Sequence, residues 1–393
     1  MRALFLSFRL AVLWCLALAL PGCIDPYMPD AISTTKSYLV VDGFINSRGS
    51  TTINLSRTFD IAAKTAPPIE TRATLFIEEE GGARYPVPES SVKGTYTSAS
   101  LTLNAAKNYR LSIRTTAGLE YASAFVPAKI TPPIDAVTWR TSDSGLTIYA
   151  NTHDATNTTK YYRWEYEETW EIRPPYSPRY EYKNNQIQDL AVPFPSMCWG
   201  NNKSTDIKIS NTTRLAQDVV ADYPIRSFST STDRLAYGYS ILVKQYAQTA
   251  EEYMYWDQLR KNTENIGTLF DPLPTQLTGN VRCLNDESEL ALGYVGAYNR
   301  EQRRLFIGRS ELPRTWRISN GYEACVPPDT LFLFKPSPGP PPEDKLQSAF
   351  ASGQALPIDR IYGLNGIIGY TNKSRDCIDC RTRGTAVKPS FWP

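Results

Sequence analysis

A period of two in apolar and polar residues is the pattern that most limits how this chain can fold. Ile53 and Leu55 alternate with Thr52, Asn54 and Ser56. Leu75 and Ile77 alternate with Thr74 and Phe76, and Tyr109, Leu111 and Ile113 with Asn108, Arg110, Ser112 and Arg114. Successive strand side chains point to opposite faces, so each set predicts a strand with one buried face. Tyr38–Ile45, Tyr96–Leu103 and Glu120–Val126 bring the total to at least six short strands before residue 127. Gly49, Gly81-Gly82, Gly94 and Gly118 punctuate them as turns. That spacing predicts an immunoglobulin-like β-sandwich over 38–128. The segment has no cysteine, so packing alone must hold it.

Pro127 and Pro132-Pro133 remove ladder donors and mark a boundary. A larger β-rich domain is expected over 134–393, because strand signals resume there. Tyr162, Trp164, Tyr166, Trp170 and Ile172 share one face of a long strand, with Arg163, Glu165, Glu167 and Glu171 on the other. Leu235–Tyr246 reads as a strand, and Leu290–Tyr298 with Arg304–Ile307 as a hairpin around Asn299-Arg300. One amphipathic helix is expected. Thr249-Ala-Glu-Glu252 has the capping-box form, Tyr253, Trp256, Leu259 and Arg260 follow at helical spacing, and Asn262 and Gly267 end it. Such a helix covers a sheet face or edge. Residues 336–342, rich in proline, read as an extended surface loop. At roughly 150 residues per domain, 393 residues fit two domains.

Charge and export narrow the function classes. Lys and Arg number 42 against 40 Asp and Glu, which disfavours nucleic-acid binding. Arg2 and Arg9 flank the start of an apolar run, Leu10–Leu20, of signal-peptide length. It ends in Leu20-Pro21-Gly22-Cys23, which resembles the lipobox of bacterial lipoproteins. Residues 1–22 are then a leader, Cys23 the lipidation site, and 23–37 a tether. Removal of Arg2 and Arg9 makes the remaining chain formally neutral. Cys15 leaves with the leader. Cys198, Cys283, Cys325, Cys377 and Cys380 remain, an odd number in an oxidising compartment. Cys377-Ile-Asp-Cys380 is a C-x-x-C, but Arg381-Thr-Arg-Gly384 hardly starts the helix a redox motif needs. A zinc site using Cys325 or Cys198 is the other functional reading. Structural disulfides among the five are favoured.

Several ordered segments resemble one lipoprotein family, the domain of unknown function 4249 of Bacteroidota. They are Tyr38-Leu-Val-Val-Asp-Gly43, the stretch Asn262–Asn280, Leu292-Gly293-Tyr294 with the later Arg-Leu-Phe-Ile strand, and Cys377–Gly384 with Lys388-Pro389 and Phe391-Trp392. The resemblance implies outer-membrane lipoproteins with an immunoglobulin-like amino-terminal part, accessory to TonB-dependent transporters. It implies lipidation of Cys23 and carries over no catalytic residue.

Two function classes follow. The first is a non-catalytic binding or accessory module, held to the outer membrane by its lipid and working beside a SusC-like β-barrel, with a peptide or glycan as ligand. The residues leave open which face of the membrane it occupies. Aromatic rings suit such contacts. The Tyr162–Ile172 face reads as core, so the loop Arg173–Tyr182, with Tyr176, Tyr180 and Tyr182 among prolines, is the expected contact surface. The alternative is an exported hydrolase. His153 precedes Asp154, a pair that reads as a solvated turn. No G-x-S-x-G elbow is present, and Glu167 and Glu168 point to opposite faces. Gly363-x-x-Gly366-x-x-Gly369 lacks dinucleotide-site spacing, and Asn285–Glu289 reads as a polar turn rather than a calcium loop. No catalytic residue, metal ligand or cofactor is nominated.

Overall fold

The computed structural model describes residues 37–59, 66–264, 277, 279–333 and 342–393. The leader, Cys23 and nearly all of the tether lie outside these residues, as do 336–341 of the proline-rich segment and Gly267. The chain begins with β1 (Leu39–Asn46), β2 (Arg48–Arg57), β3 (Thr74–Glu79), β4 (Arg84–Pro86), β5 (Thr95–Thr102), β6 (Asn108–Arg114), β7 (Glu120–Ser123) and β8 (Val126–Pro127). There follow β9 (Ile134–Ser142), β10 (Gly145–Asp154), β11 (Tyr161–Ile172), β12 (Tyr180–Lys183), β13 (Gln186–Asp189), β14 (Cys198–Lys203), β15 (Lys208–Asn211), β16 (Asp218–Ser229) and β17 (Gly238–Ala247). Helix α1 (Ala250–Glu264) leads to β18 (Val281–Cys283), β19 (Ala291–Leu292), β20 (Ala297–Tyr298) and β21 (Glu301–Gly308). The last elements are β22 (Asp329–Phe332), helix α2 (Pro342–Phe350), β23 (Ala355–Gly363) and β24 (Gly366–Ser374). The protein is mainly β, as the alternation predicts.

Two sheets enclose the first core. One has the order β19-β1-β2-β5 and the other β18-β7-β6-β3-β4. Ile53, Leu75, Ile77, Tyr109, Leu111 and Ile113 are buried between them. The expected domain boundary is crossed here. β19 and β20 pair in parallel with β1, and β18 pairs with β7. The first sandwich is therefore completed by strands that lie in sequence between β17 and β21 of the second sandwich. The hairpin expected from Leu290–Tyr298 and Arg304–Ile307 does not form. Its first arm splits into β19 and β20 on β1, and its second arm becomes β21, paired with β17. Pairing with a buried strand already in place satisfies more backbone groups than an isolated hairpin.

The second sandwich packs the sheet β16-β10-β9 against β14-β11-β17-β21. Tyr162, Trp164 and Tyr166 are buried there beside Ile148 and Ile241, so the aromatic face of β11 is core. Helix α1 starts where expected: the Thr249 hydroxyl accepts from the Glu252 amide at 3.2 Å. The reciprocal half of the capping box is absent, because the Glu252 carboxylate turns inward (below). The expectation of one helix is corrected by α2. Pro342, assigned to the loop from its composition, opens that helix. Proline is tolerated in a first turn, where the missing N–H has no intrahelical partner to lose.

A small sheet, β22-β24-β23, forms the carboxy-terminal part. Two disulfides tie it down, Cys198–Cys380 and Cys325–Cys377, and Cys283 is free. The two cysteines of the C-x-x-C thus bond outward to different partners and not to each other. All four sulfurs are buried in one cluster with Tyr322 and Ile172. Beyond them, Trp392 lies against β21 and β11: its ring meets Phe306 at 5.8 Å and its Nε1 donates to Glu171 at 3.3 Å.

Candidate functional site

The two sandwiches meet along a seam, and two clefts open on it. The first lies between α1 and the β7–β18 edge of the first sandwich, with a volume of about 650 Å³. Tyr255 and Tyr294 form its wall, their rings 5.4 Å apart. Burial raises the pKa of both hydroxyls. Met254 and Leu284 stand at its mouth, 61% and 59% exposed. Arg110 is held by Glu78 at 2.7 Å, and Arg282 and Glu251 add exposed charge at the rim.

Close backbone approach builds this wall. A Cβ on Gly293 would sit 2.1 Å from the Val41 carbonyl, and one on Gly279 would sit 1.8 Å from the Gly293 carbonyl. Gly293 also has φ +123°, which side chains rarely adopt. The Asn280 side chain then clamps the segment, donating to the Val295 carbonyl at 3.0 Å and accepting from its amide at 2.8 Å. Residues quoted above for the family resemblance thus converge on one spot: Val41, Gly279, Asn280, Gly293 and Tyr294.

Beneath α1 lies the joint between the sandwiches. Phe44 of β1 stacks on Tyr298 at 4.8 Å and meets Tyr246 edge-on at 5.3 Å. The buried Arg163 guanidinium lies over Tyr246 and Trp256 at 4.5 and 4.4 Å and pairs with Glu165. Glu252 is buried beside it, accepting from the Tyr298 hydroxyl at 3.0 Å and Trp256 Nε1 at 3.3 Å. Desolvation raises the Glu252 pKa, opposed chiefly by the Arg163 charge.

The second cleft, about 640 Å³, is lined by Arg48, Lys129, His153, Asp154, Thr156 and Glu301 among others. The partner of His153 is not its neighbour Asp154. His153 Nδ1 lies 2.7 Å from Asp135 Oδ2, across the β9–β10 pair. This bond raises the imidazole pKa. In the neutral ring Nδ1–H donates to the carboxylate and Nε2 is the basic nitrogen. Asp154 instead organises its own loop, accepting from the amides of Thr156, Thr158 and Thr159 at 2.9, 3.0 and 2.9 Å and from their hydroxyls. Those bonds hold its carboxyl far below the usual range. Lys129 donates to the Thr158 carbonyl at 3.2 Å, and burial lowers its pKa.

The three tyrosines of the expected contact loop are half-buried and engaged internally. Tyr176 donates to the Cys325 carbonyl at 2.8 Å. Tyr180 lies under the Arg360 guanidinium at 4.3 Å, and Tyr182 packs near Phe350 of α2 at 6.1 Å. Tyr180 and Tyr182 belong to β12, not to a loop. Asn285 serves its turn, accepting from the Glu120 amide at 3.0 Å and donating to the Gly118 carbonyl at 2.9 Å.

One buried group enters the sequence reading only as half of the Glu167-Glu168 pair. Glu168 is fully buried in the second sandwich. Its Oε1 accepts from Arg226 Nε at 3.1 Å and from the Tyr239 hydroxyl at 2.9 Å, and its Oε2 from Arg234. Its signal was present: it shares the strand face of Tyr166 and Trp170. Glu167 points the other way and pairs with Lys244 at 2.6 Å.

Residues 24–304 match the family model described as a domain of unknown function, DUF4249. That range takes in α1, both clefts and most of both sandwiches. The disulfide-tied sheet and the motifs at Cys377–Trp392 lie beyond it. No curated protein matches the chain. With nearly three quarters of its length matched, the chain belongs to the DUF4249 family.

Proposed function

We propose that the protein is an outer-membrane lipoprotein, acylated at Cys23, that acts as a non-catalytic binding module beside a TonB-dependent, SusC-like transporter. Its first sandwich is read as immunoglobulin-like. The observation that carries the binding reading is the cleft between α1 and the first sandwich. It is roomy, walled by Tyr255 and Tyr294, and rimmed by charge, and clefts between packed units are where ligands most often bind. A peptide or glycan fits its mixed aromatic and polar lining. Rings at Tyr176, Tyr180 and Tyr182 are engaged internally, which makes the cleft the stronger contact candidate. The leader and Cys23 support the anchor, and no helix among the described residues is long and apolar enough to cross a membrane.

The test is affinity capture from detergent-solubilised outer membrane with the tagged, acylated protein. A β-barrel partner is expected, and its loss or weakening is expected in a Tyr255→Ala, Tyr294→Ala double variant. Recovery of no barrel protein sinks the accessory reading. One observation favours an exported hydrolase instead: the His153–Asp135 pair at the edge of a cleft, with the arrangement of a general base and its orienting carboxylate. A hydrolytic activity abolished by His153→Ala would reverse the order of the two readings.

A further inference from the structure

The glycine repeat Gly363-x-x-Gly366-x-x-Gly369, without a role in the cleft, shapes the hairpin of β23 and β24. Gly363 pairs with Gly366 across a two-residue turn, and Gly366 has φ +118°. Gly369 lets β22 approach, since a Cβ there would sit 2.5 Å from the Leu331 carbonyl. The turn itself is Leu364-Asn365. Such turns favour Asn, Asp and Gly, yet Leu364 occupies this one and is 105% exposed.

Leu364 is not alone. Tyr362, paired with Ile367, is 65% exposed. Phe332 lies opposite Gly369, which lies opposite Ile361, so these three positions share one face of the small sheet. Phe332 is 47% exposed. From Ile361 to Asn372 the chain carries no charge. The flanking charges stop at the base of the hairpin: Arg360 stacks on Tyr180, and Lys373 pairs with Asp329 at 2.9 Å. The hairpin end therefore carries exposed Leu364 at its turn, with Tyr362 and Phe332 behind it on opposite faces of the small sheet, and burying that tip desolvates no ion.

We infer that this hairpin end inserts into the interfacial region of a lipid bilayer, as a second membrane contact beside the amino-terminal lipid. Three features favour a bilayer over a folded partner. The tip is convex rather than grooved, with a fully exposed leucine at the apex of a tight turn. A tyrosine sits just behind it, and Tyr suits the headgroup level, with an apolar ring and a polar end. At the base Arg360 and Lys373 are offset by Asp359 and Asp329, so no net charge opposes approach to a membrane surface. Chain length permits it: fourteen residues separate Cys23 from Tyr38, a span of at most about 50 Å when extended. An acylated Cys23 keeps the body within that reach of the membrane, and weak contacts then gain from high effective concentration.

The anchor reading enters only through that tether length, so the test omits it. The chain from Ile24 to Pro393, lacking leader and Cys23, is mixed with vesicles of phosphatidylethanolamine and phosphatidylglycerol and floated on a density gradient. Wild type is expected to co-float, and Leu364→Asp to lower the bound fraction about tenfold, the effect of losing one inserted leucine. Circular dichroism and thiol titration verify that the variant keeps its fold and both disulfides. Leu364→Cys carrying an environment-sensitive dye should shift its emission to the blue when vesicles are added. Failure of wild type to float, equal flotation of Leu364→Asp, or no dye shift overturns the inference. So does a concentration-dependent dimer that Leu364→Asp dissolves, which would assign the face to a second copy. A missing β-barrel in the capture experiment leaves this result untouched.

Discussion

Glu168 shows how much one residue can decide inside a β-sandwich. A carboxylate on the core face of β11 is tolerated because Arg226, Arg234 and Tyr239 all donate to it. Removing it strands two guanidinium groups and a hydroxyl. Glu168→Ala is expected to lower stability by about 3 kcal/mol, the low end for breaking a buried pair because both arginines keep some access to water. A urea midpoint unchanged within error would refute this. His153 offers a cleaner measurement, because it is the single histidine of the chain. Its imidazole should titrate above the ordinary 6.5 in a proton NMR series, and Asp135→Asn should bring it back toward that value. The sign follows from the raised folded pKa. The pair's contribution to stability is fully present below the unfolded pKa and is lost as pH rises through the folded one. A variant whose imidazole titrates as in wild type would exclude Asp135 as the cause. The strand parity that puts Glu168 on the core face was readable in the sequence, whereas the His153–Asp135 contact was not. Eighteen residues separate the two, and only the β9–β10 register brings them together.

Among elements, β19 and helix α1 carry the lesson. β19 is two residues long and has no independent stability. It exists because Gly293, just after it, lets the chain pass against β1. Gly293→Ala places a methyl into the Val41 carbonyl and forces alanine to φ +123°. It should cost roughly 2–3 kcal/mol of strain and speed hydrogen exchange at the amides of β1 and β19. An unaltered exchange pattern would mean that the segment can move aside. Helix α1 was legible from its cap and spacing. The inward turn of Glu252 was not, since a capping-box glutamate and a buried one look alike until Tyr298 arrives from the far side of the chain. Similarly, α2 was hidden because prolines read as loop, although the first position of a helix accepts one.

Over the whole molecule, two devices hold distant parts of the chain together. Strands from 281–298 complete the first sandwich, while Cys198–Cys380 staples the carboxy-terminal part to the second and Cys325–Cys377 closes the loop that carries the small sheet. The bonds span 182 and 52 residues. In the chain-entropy limit they stabilise by about 5 and 4 kcal/mol, with overlap because their loops share residues. Cys198→Ser with Cys380→Ser should therefore lower the unfolding midpoint. It should also render the segment after Asp379 sensitive to protease, while the first sandwich, whose core contains none of the four bonded cysteines, keeps its exchange protection. Loss of protection throughout would show that the molecule unfolds as one unit.

By itself the sequence determined the local periodicities: strands of period two, one helix with its cap, an apolar run ahead of Cys23, and five cysteines after it. These follow from rules that act over a few residues, and the family resemblance rested on motifs of the same length. Tertiary structure alone decided which strands completed which sheet, which cysteines joined, which aspartate held His153, and that the expected contact tyrosines lie half-buried against Cys325, Arg360 and Phe350. Those outcomes depend on contacts between residues tens to hundreds of positions apart. Such contacts are selected by the burial of shared surfaces, a quantity that local pattern does not contain.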